Sequence, residues 1–213
     1  MIYLFSGLGA DSRVFESLDL GNRPTKVVEW RQPLPAETLA RYAQRLVQEQ
    51  MEVRADTVLI GVSFGGMVAV EVARLIKPAK VILISSAKNF RELPWYYRWF
   101  GKLRLDTLIP AWFLTFPTFF TYKAFGASSQ KDRQLLRDIL QHTDKRFLKW
   151  AIRQILSWQT LHKIENLVHI HGDNDRILPY RYARNAICIP NGGHLMIVSQ
   201  ATEISVILKK NLI

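Results

Sequence analysis

The 213 residues predict an α/β protein, with a mostly parallel sheet flanked by helices on both faces. Three observations carry that expectation. Short, continuous apolar runs recur along the chain, as buried strands require. Stretches with apolar residues at helical spacing lie between them. Several runs stop abruptly at glycine or proline, where a strand passes into a loop. The composition agrees: 48% hydrophobic and 22% charged residues suffice to bury a core and leave too little polarity for disorder.

Taken in order, Ile2 to Ser6 reads as a buried strand halted by Gly7-Leu8-Gly9. Lys26 to Trp30 (KVVEW) is a second strand, followed by a loop bracketed by Pro33 and Pro35. Leu39, Tyr42, Ala43, Leu46 and Val47 then repeat at helical spacing, which predicts an amphipathic helix over Glu37 to Gln50. Thr57 to Val62 (TVLIGV) is strongly strand-like, and Met67 to Ile76 forms a helix closed by Pro78. Lys80 to Ser85, Leu167 to His171 and Ala186 to Ile189 complete the strands, and a helix around Met196 to Lys210 ends the pattern.

Charge divides the chain unevenly. The net charge is +11, and residues 88–165 hold 14 Lys/Arg against 6 Asp/Glu, so +8 lies there. The same stretch holds 16 of the 24 aromatic residues and five of the six tryptophans. This shift predicts a core made of 1–87 and 166–213, with 88–165 inserted as a mostly helical cap. Leu135, Ile139 and Leu140, then Phe147, Trp150, Ala151 and Ile155, supply the helical periodicity. Trp95, Tyr96, Trp99, Phe100, Trp112, Phe113, Phe116, Phe119 and Phe120 are expected to form the cap's own small core and its contact with the main domain, with some lining an apolar cavity. No nucleic-acid-binding signature or regular basic stripe accompanies the charge. No apolar run reaches the ~18–20 residues that span a bilayer. The start lacks a basic signal-peptide region, and Cys188 is a single cysteine, so a cytoplasmic protein without disulfide or cysteine-based zinc is expected.

The chemistry concentrates at Gly61-Val62-Ser63-Phe64-Gly65, a G-x-S-x-G set between a strand and a helix. A serine on that turn projects its hydroxyl above the sheet, although a serine there also fits a plain tight turn. A serine hydroxyl needs a base to take its proton. Of five histidines, His194 stands out in the loop Asn191-Gly192-Gly193-His194, just before the last helix. His169 and His171 alternate on one strand, which suits either strand-end hydrogen bonding or a metal pair. His142 and His162 fall in the cap stretch, where a surface role is expected. The base in turn needs an acid, and Asp173 and Asp175 both stand at a strand end.

With Gly172-Asp173-Asn174-Asp175 followed by Ile177-Leu178-Pro179, the sequence resembles the α/β-hydrolase family. That resemblance implies the chain order nucleophile, acid, histidine: Ser63, Asp175, His194. It implies an oxyanion hole from the backbone N–H groups of Phe64 and of Leu8, in the loop Phe5-Ser6-Gly7-Leu8-Gly9. Ser6 stands where the family usually has histidine, and the interval from Asp175 to His194 is short. The expected function is a serine hydrolase of a carboxylic ester or thioester, needing no metal or organic cofactor. A small acyl substrate is the expected partner, with an acidic carrier on the basic cap as a further one. A lyase, C–C hydrolase or acyltransferase built on the same residues stays open, as does a binding protein with a basic cap.

Overall fold

The computed structural model describes residues 1–104, 107 and 115–212. Among them, β1 (Ile2–Phe5), β2 (Thr25–Val27), β3 (Val58–Val62), β4 (Lys80–Ile84), β5 (Leu167–Gly172) and β6 (Ile187–Ile189) form one sheet. Its order is β2-β1-β3-β4-β5-β6, and every pairing is parallel. The chain runs outward from β1 to β2 and then crosses back to β3, so the sheet reverses direction between β1 and β3. A crevice opens at the carboxyl ends of the strands at such a reversal.

Side chains alternate across the sheet with period two. Tyr3, Phe5, Leu59, Val81 and Leu83 face one way, into a core shared with α1 (Leu39–Gln50) and α2 (Phe64–Ile76). Ile2, Leu4, Ile60, Ile82, Ile84 and Ile170 face the other way. There they meet Met196 and Ile197 of α7 (Met196–Ser199) and Ile204 and Leu208 of α8 (Ala201–Leu212). Both faces are covered, which explains why the strands read as unbroken apolar runs.

Between β4 and β5 the described residues form α3 (Trp95–Lys102), α4 (Phe119–Phe125), α5 (Gln130–His142) and α6 (Lys145–Ser157). Helix α6 is not held apart from the sheet. Its Phe147 and Ala151 join Tyr42, Phe64 and Met67 in one core, and Trp150 stacks 4.5 Å from Tyr42. The Trp150 indole N–H donates to Glu37 O (2.8 Å), and the Gln154 side chain accepts from Leu39 N–H (2.9 Å) at the start of α1.

The aromatic residues of this stretch depart from the expectation of an internal cap core. Trp95, Trp99, Phe116, Phe119 and Phe120 are exposed. Packing is supplied instead by Phe147 and Trp158, which are buried, and by Trp150, packed against them. Trp112 and Phe113 lie outside the described residues.

Element boundaries differ in ways that have local causes. Strand β2 ends at Val27 rather than Trp30, because the Gln50 side chain bonds both Glu29 N–H (2.9 Å) and Glu29 O (2.9 Å) in place of a neighbouring strand. Helix α1 begins at Leu39, capped by Thr38. Glu37 sits in the preceding turn, where its carboxylate accepts from Leu34 N–H (2.8 Å) and pairs with Arg45 (2.8 Å). The final helix is two helices, broken at Gln200 (φ −128°), whose amide donates to Pro190 O (3.0 Å).

Candidate functional site

The site is assembled from loops that leave the carboxyl ends of four strands. Ser63 follows β3 directly and begins α2, with φ 51° and ψ −123°. That strained, positive-φ backbone turns a buried strand into a helix within one residue. It is held by contacts that leave no room for side chains. A Cβ on Gly61 would lie 2.5 Å from Gly66 Cα, and one on Gly65 would lie 2.1 Å from Ser6 O. The loop after β1 therefore rests on the first turn of α2, which is why α2 can begin at Phe64 rather than Met67.

Asp175 and His194 come from the loops after β5 and β6. Those two loops cross backbone on backbone: a Cβ on Gly172 would fall 2.1 Å from Gly192 O, and Asn174 N–H donates to Gly192 O (3.0 Å). Helix α4 braces the histidine from above. The Phe125 ring meets the imidazole edge-on at 5.5 Å, and Leu195 N–H donates to Phe125 O (2.9 Å).

The sequence-predicted residues Ser63, Asp175 and His194 meet in one line. His194 Nε2 lies 2.8 Å from Ser63 Oγ, and His194 Nδ1 lies 2.7 Å from Asp175 Oδ2. Asp175 Oδ1 accepts from Ile177 N–H (2.9 Å) and Leu178 N–H (2.8 Å), so both oxygens are engaged. Asp173, the rival acid, is exposed and takes no part in the line. Burial works to raise the Asp175 pKa. His194 and the hydrogen bonds from His171 and His194 outweigh it and hold the carboxyl well below the usual carboxylate range. Asp175 is thus a buried anion with a donor on every side, suited to fixing the Nδ1–H tautomer of His194.

A histidine behind the acid completes the group. His171 Nε2 lies 2.7 Å from Leu178 O and 3.2 Å from Asp175 Oδ2. The carbonyl can only accept, so the proton is on Nε2 and is shared with the carboxylate. His171 Nδ1 then accepts from His169 Nε2 (3.3 Å), which also donates to Ser86 O (3.0 Å). Burial, with help from His171 and Lys88, pushes the His169 pKa down to about 3. The two strand histidines are therefore hydrogen-bonded to each other and to the acid loop. Their alternation on β5 was the visible signal; the contact of His171 with Asp175 depends on how the loop folds back. Among the described residues, no group of three or more His, Cys, Asp or Glu side chains converges as a metal-binding set.

Leu8 and Phe64, expected to supply oxyanion donors, border the same cavity as Ser63. Phe64 opens α2, so its N–H has no partner within the helix. Leu8 N–H, in the loop after β1, has no hydrogen-bond partner among the described residues. Ser6, at the position of the family's usual histidine, is buried and turns its hydroxyl inward to Ala10 O (2.6 Å), closing the Leu8 loop.

Above Ser63 opens a cavity of about 510 Å³. Leu8, Val14, Phe64 and Met67 border it from the sheet side, and Tyr96, Phe100, Phe125, Leu136, Leu148 and Ile152 from the helices between β4 and β5. Among the described residues no Asp, Glu, Lys or Arg side chain borders it. The hydroxyls of Tyr97 and Thr143 on its wall are already spent on Ile177 O and Ile139 O.

Comparison with known proteins settles the family. The model of the alpha/beta hydrolase family matches residues 2–205. The chain belongs to the alpha/beta hydrolase family. Its fold is shared with a hydrolase from Pseudomonas aeruginosa (TM-score 0.76, 16% identity, 99% of this chain and 89% of the other). A bromoperoxidase from Bacillus anthracis is similar at TM-score 0.71 and 17% identity, over 99% and 91% of the two chains. A thermophilic esterase from Thermogutta terrifontis is similar at TM-score 0.70 and 16% identity, over 98% and 88%. A search of curated proteins returned no match. Membership of this family supports a hydrolase, and among the described residues no helix is long and apolar enough to cross a membrane.

Proposed function

We propose that this alpha/beta hydrolase is a serine hydrolase that cleaves esters or thioesters of hydrocarbon acyl chains, with the helices between β4 and β5 acting as its cap. One observation carries the reading: Ser63 Oγ, the His194 imidazole and the Asp175 carboxylate are joined by hydrogen bonds of 2.8 and 2.7 Å at the floor of an apolar cavity.

The chemistry follows from those distances. His194 Nε2 accepts the Ser63 proton as Oγ attacks the acyl carbonyl carbon. The carbonyl π pair moves onto oxygen, and the N–H groups of Leu8 and Phe64 hold that oxyanion. Such donors contribute about 3 kcal/mol each to the transition state. The pair then collapses to re-form the carbonyl and expel the alkoxide or thiolate, which takes the proton from His194. Water enters and attacks the acyl-Ser63 ester as His194 takes its proton; the intermediate then collapses, breaking the bond to Oγ and releasing the acid, and Ser63 Oγ takes the proton back from His194. Asp175 stays ionised throughout and steadies the imidazolium.

The substrate class rests on the cavity wall. A carboxylate placed on the acyl chain would lose its water without finding a cationic partner there. An unsubstituted chain incurs no such loss.

A fluorophosphonate probe tests the proposal directly, because only an activated serine reacts. Wild-type protein is expected to label and to hydrolyse p-nitrophenyl acyl esters. Ser63→Ala is expected to abolish labelling and His194→Ala to slow it by about 10³-fold or more. Folded wild-type protein that neither labels nor hydrolyses any ester or thioester would overturn the reading.

A further inference from the structure

Five large aromatic side chains of α3, α4 and the approach to α4 stand in solvent: Phe120 is 79% exposed, Phe119 68%, Phe116 and Trp95 61%, and Trp99 53%. Isolated exposed aromatics are ordinary, but a group of this kind marks a contact surface. Its place is informative. Helix α3 borders the cavity through Tyr96 and Phe100, and α4 borders it through Thr121 and Phe125. Phe100 both lines the cavity and reaches solvent, which places the exposed face of α3 at the cavity rim. The same stretch of chain is basic. Among the described residues of 95–125 the charged side chains are Arg98, Lys102, Arg104 and Lys123, all basic, and Lys102, Arg104 and Lys123 are exposed.

From this we infer that the rim of the cavity is a docking surface for an anionic lipid bilayer. A bilayer meets both halves of the pattern at once. Its headgroups neutralise the basic residues, each worth about fivefold in partitioning when near the surface. Its interfacial hydrocarbon receives the aromatic rings, which an acidic protein surface does not. Phe116, Phe119 and Phe120 have no polar atom to offer a hydrophilic partner, and each ring that enters hydrocarbon contributes about tenfold or more. Docked in this way, the cavity mouth opens onto the phase that holds acyl chains, so a chain can enter without crossing water. The docking surface stands whatever Ser63 does; only the delivery of substrate rests on the hydrolase reading.

Flotation of the full chain with vesicles tests it, using phosphatidylcholine alone and phosphatidylcholine with about a third phosphatidylglycerol. Wild type and Ser63→Ala are both expected to float with the anionic vesicles and to bind at least tenfold more weakly to the neutral ones. Raised salt is expected to weaken the binding. The Phe119→Ser/Phe120→Ser double variant and the Lys102→Glu/Lys123→Glu double variant are each expected to lose tenfold or more. Both should keep wild-type fluorophosphonate labelling, because none of the four side chains touches Ser63. The proposal is overturned if wild type stays in solution, if it binds neutral vesicles equally well, or if the aromatic variant floats undiminished. Binding to an acidic acyl-carrying protein without binding to vesicles also overturns it, in favour of that protein. Flotation without any labelling would leave the surface standing and remove the hydrolase.

Discussion

At Asp175 the usual cost of burying a carboxylate is offset by an unusual number of donors. Ile177 N–H and Leu178 N–H satisfy one oxygen, and His194 and His171 share the other. Under the proposed mechanism His171 is a positioning residue: it touches no substrate but fixes the anion that orients His194. A hydrogen bond to a charged group is worth about 1.5–3 kcal/mol, so His171→Leu is expected to lower kcat/KM by roughly ten- to a hundredfold. The His171→Gln variant keeps an N–H donor and should recover part of that loss. Equal activity in the two variants would show that His171 only fills space. Ser63 and His194 stood out from the chain in distinctive turns, whereas the choice of Asp175 over Asp173 came from the family resemblance. His171 was visible only as one of two alternating histidines, because its contact with Asp175 spans four residues that double back on themselves.

Among the elements, α6 does more than close a cavity. Its Trp150 and Gln154 side chains hold the turn and first N–H at the start of α1, while Leu148 and Ile152 face the cavity. Cavity shape and helix packing are thus set by two faces of one helix. Enlarging the cavity face alone separates them: Ile152→Trp narrows the space and is expected to shift ester preference toward shorter chains by about tenfold in kcat/KM. A panel of p-nitrophenyl esters reads this as a ratio between short and long substrates. A fall that is uniform across chain lengths would instead point to displacement of α6. The helical spacing of Phe147, Trp150 and Ala151 announced the helix. The periodicity did not reveal that its apolar face enters the same core as Tyr42 and Phe64.

For the whole molecule, buried titratable groups make stability depend on pH. His169 is buried and neutral, with its pKa pushed down to about 3 from an ordinary 6.5. His171, Lys88 and Glu92 surround it, and Glu92 is already paired with Lys88. Between those values the unfolded chain binds a proton that the folded protein refuses, so stability rises with pH across that window and is complete above about 6.5. Asp175, whose folded pKa is depressed, adds a contribution that is present above its ordinary value of 3.8 and fades below it. Denaturant unfolding of His169→Gln is therefore expected to lose most of its pH slope between about 4 and 6.5 while keeping the slope at lower pH. An unchanged slope in that variant would assign the effect to another group.

The sequence by itself determined the α/β class, the strands of the sheet and the turn that carries Ser63. Those features are written in short windows: buried strands must be apolar, and a strand that turns into a helix at once needs glycines where backbone meets backbone. Tertiary structure decided what distant residues do to each other. Gln50 ends β2 by bonding Glu29, His171 contacts Asp175, and Gln154 accepts from the first N–H of α1. It also decided the fate of the aromatics between β4 and β5. Composition makes such residues core by default, whereas the core was already filled by Phe147 and Trp158, leaving Trp95, Trp99, Phe116, Phe119 and Phe120 in solvent. The physical reason is the same in each case: a side chain's preference is local, but its neighbours are set by where the rest of the chain has packed.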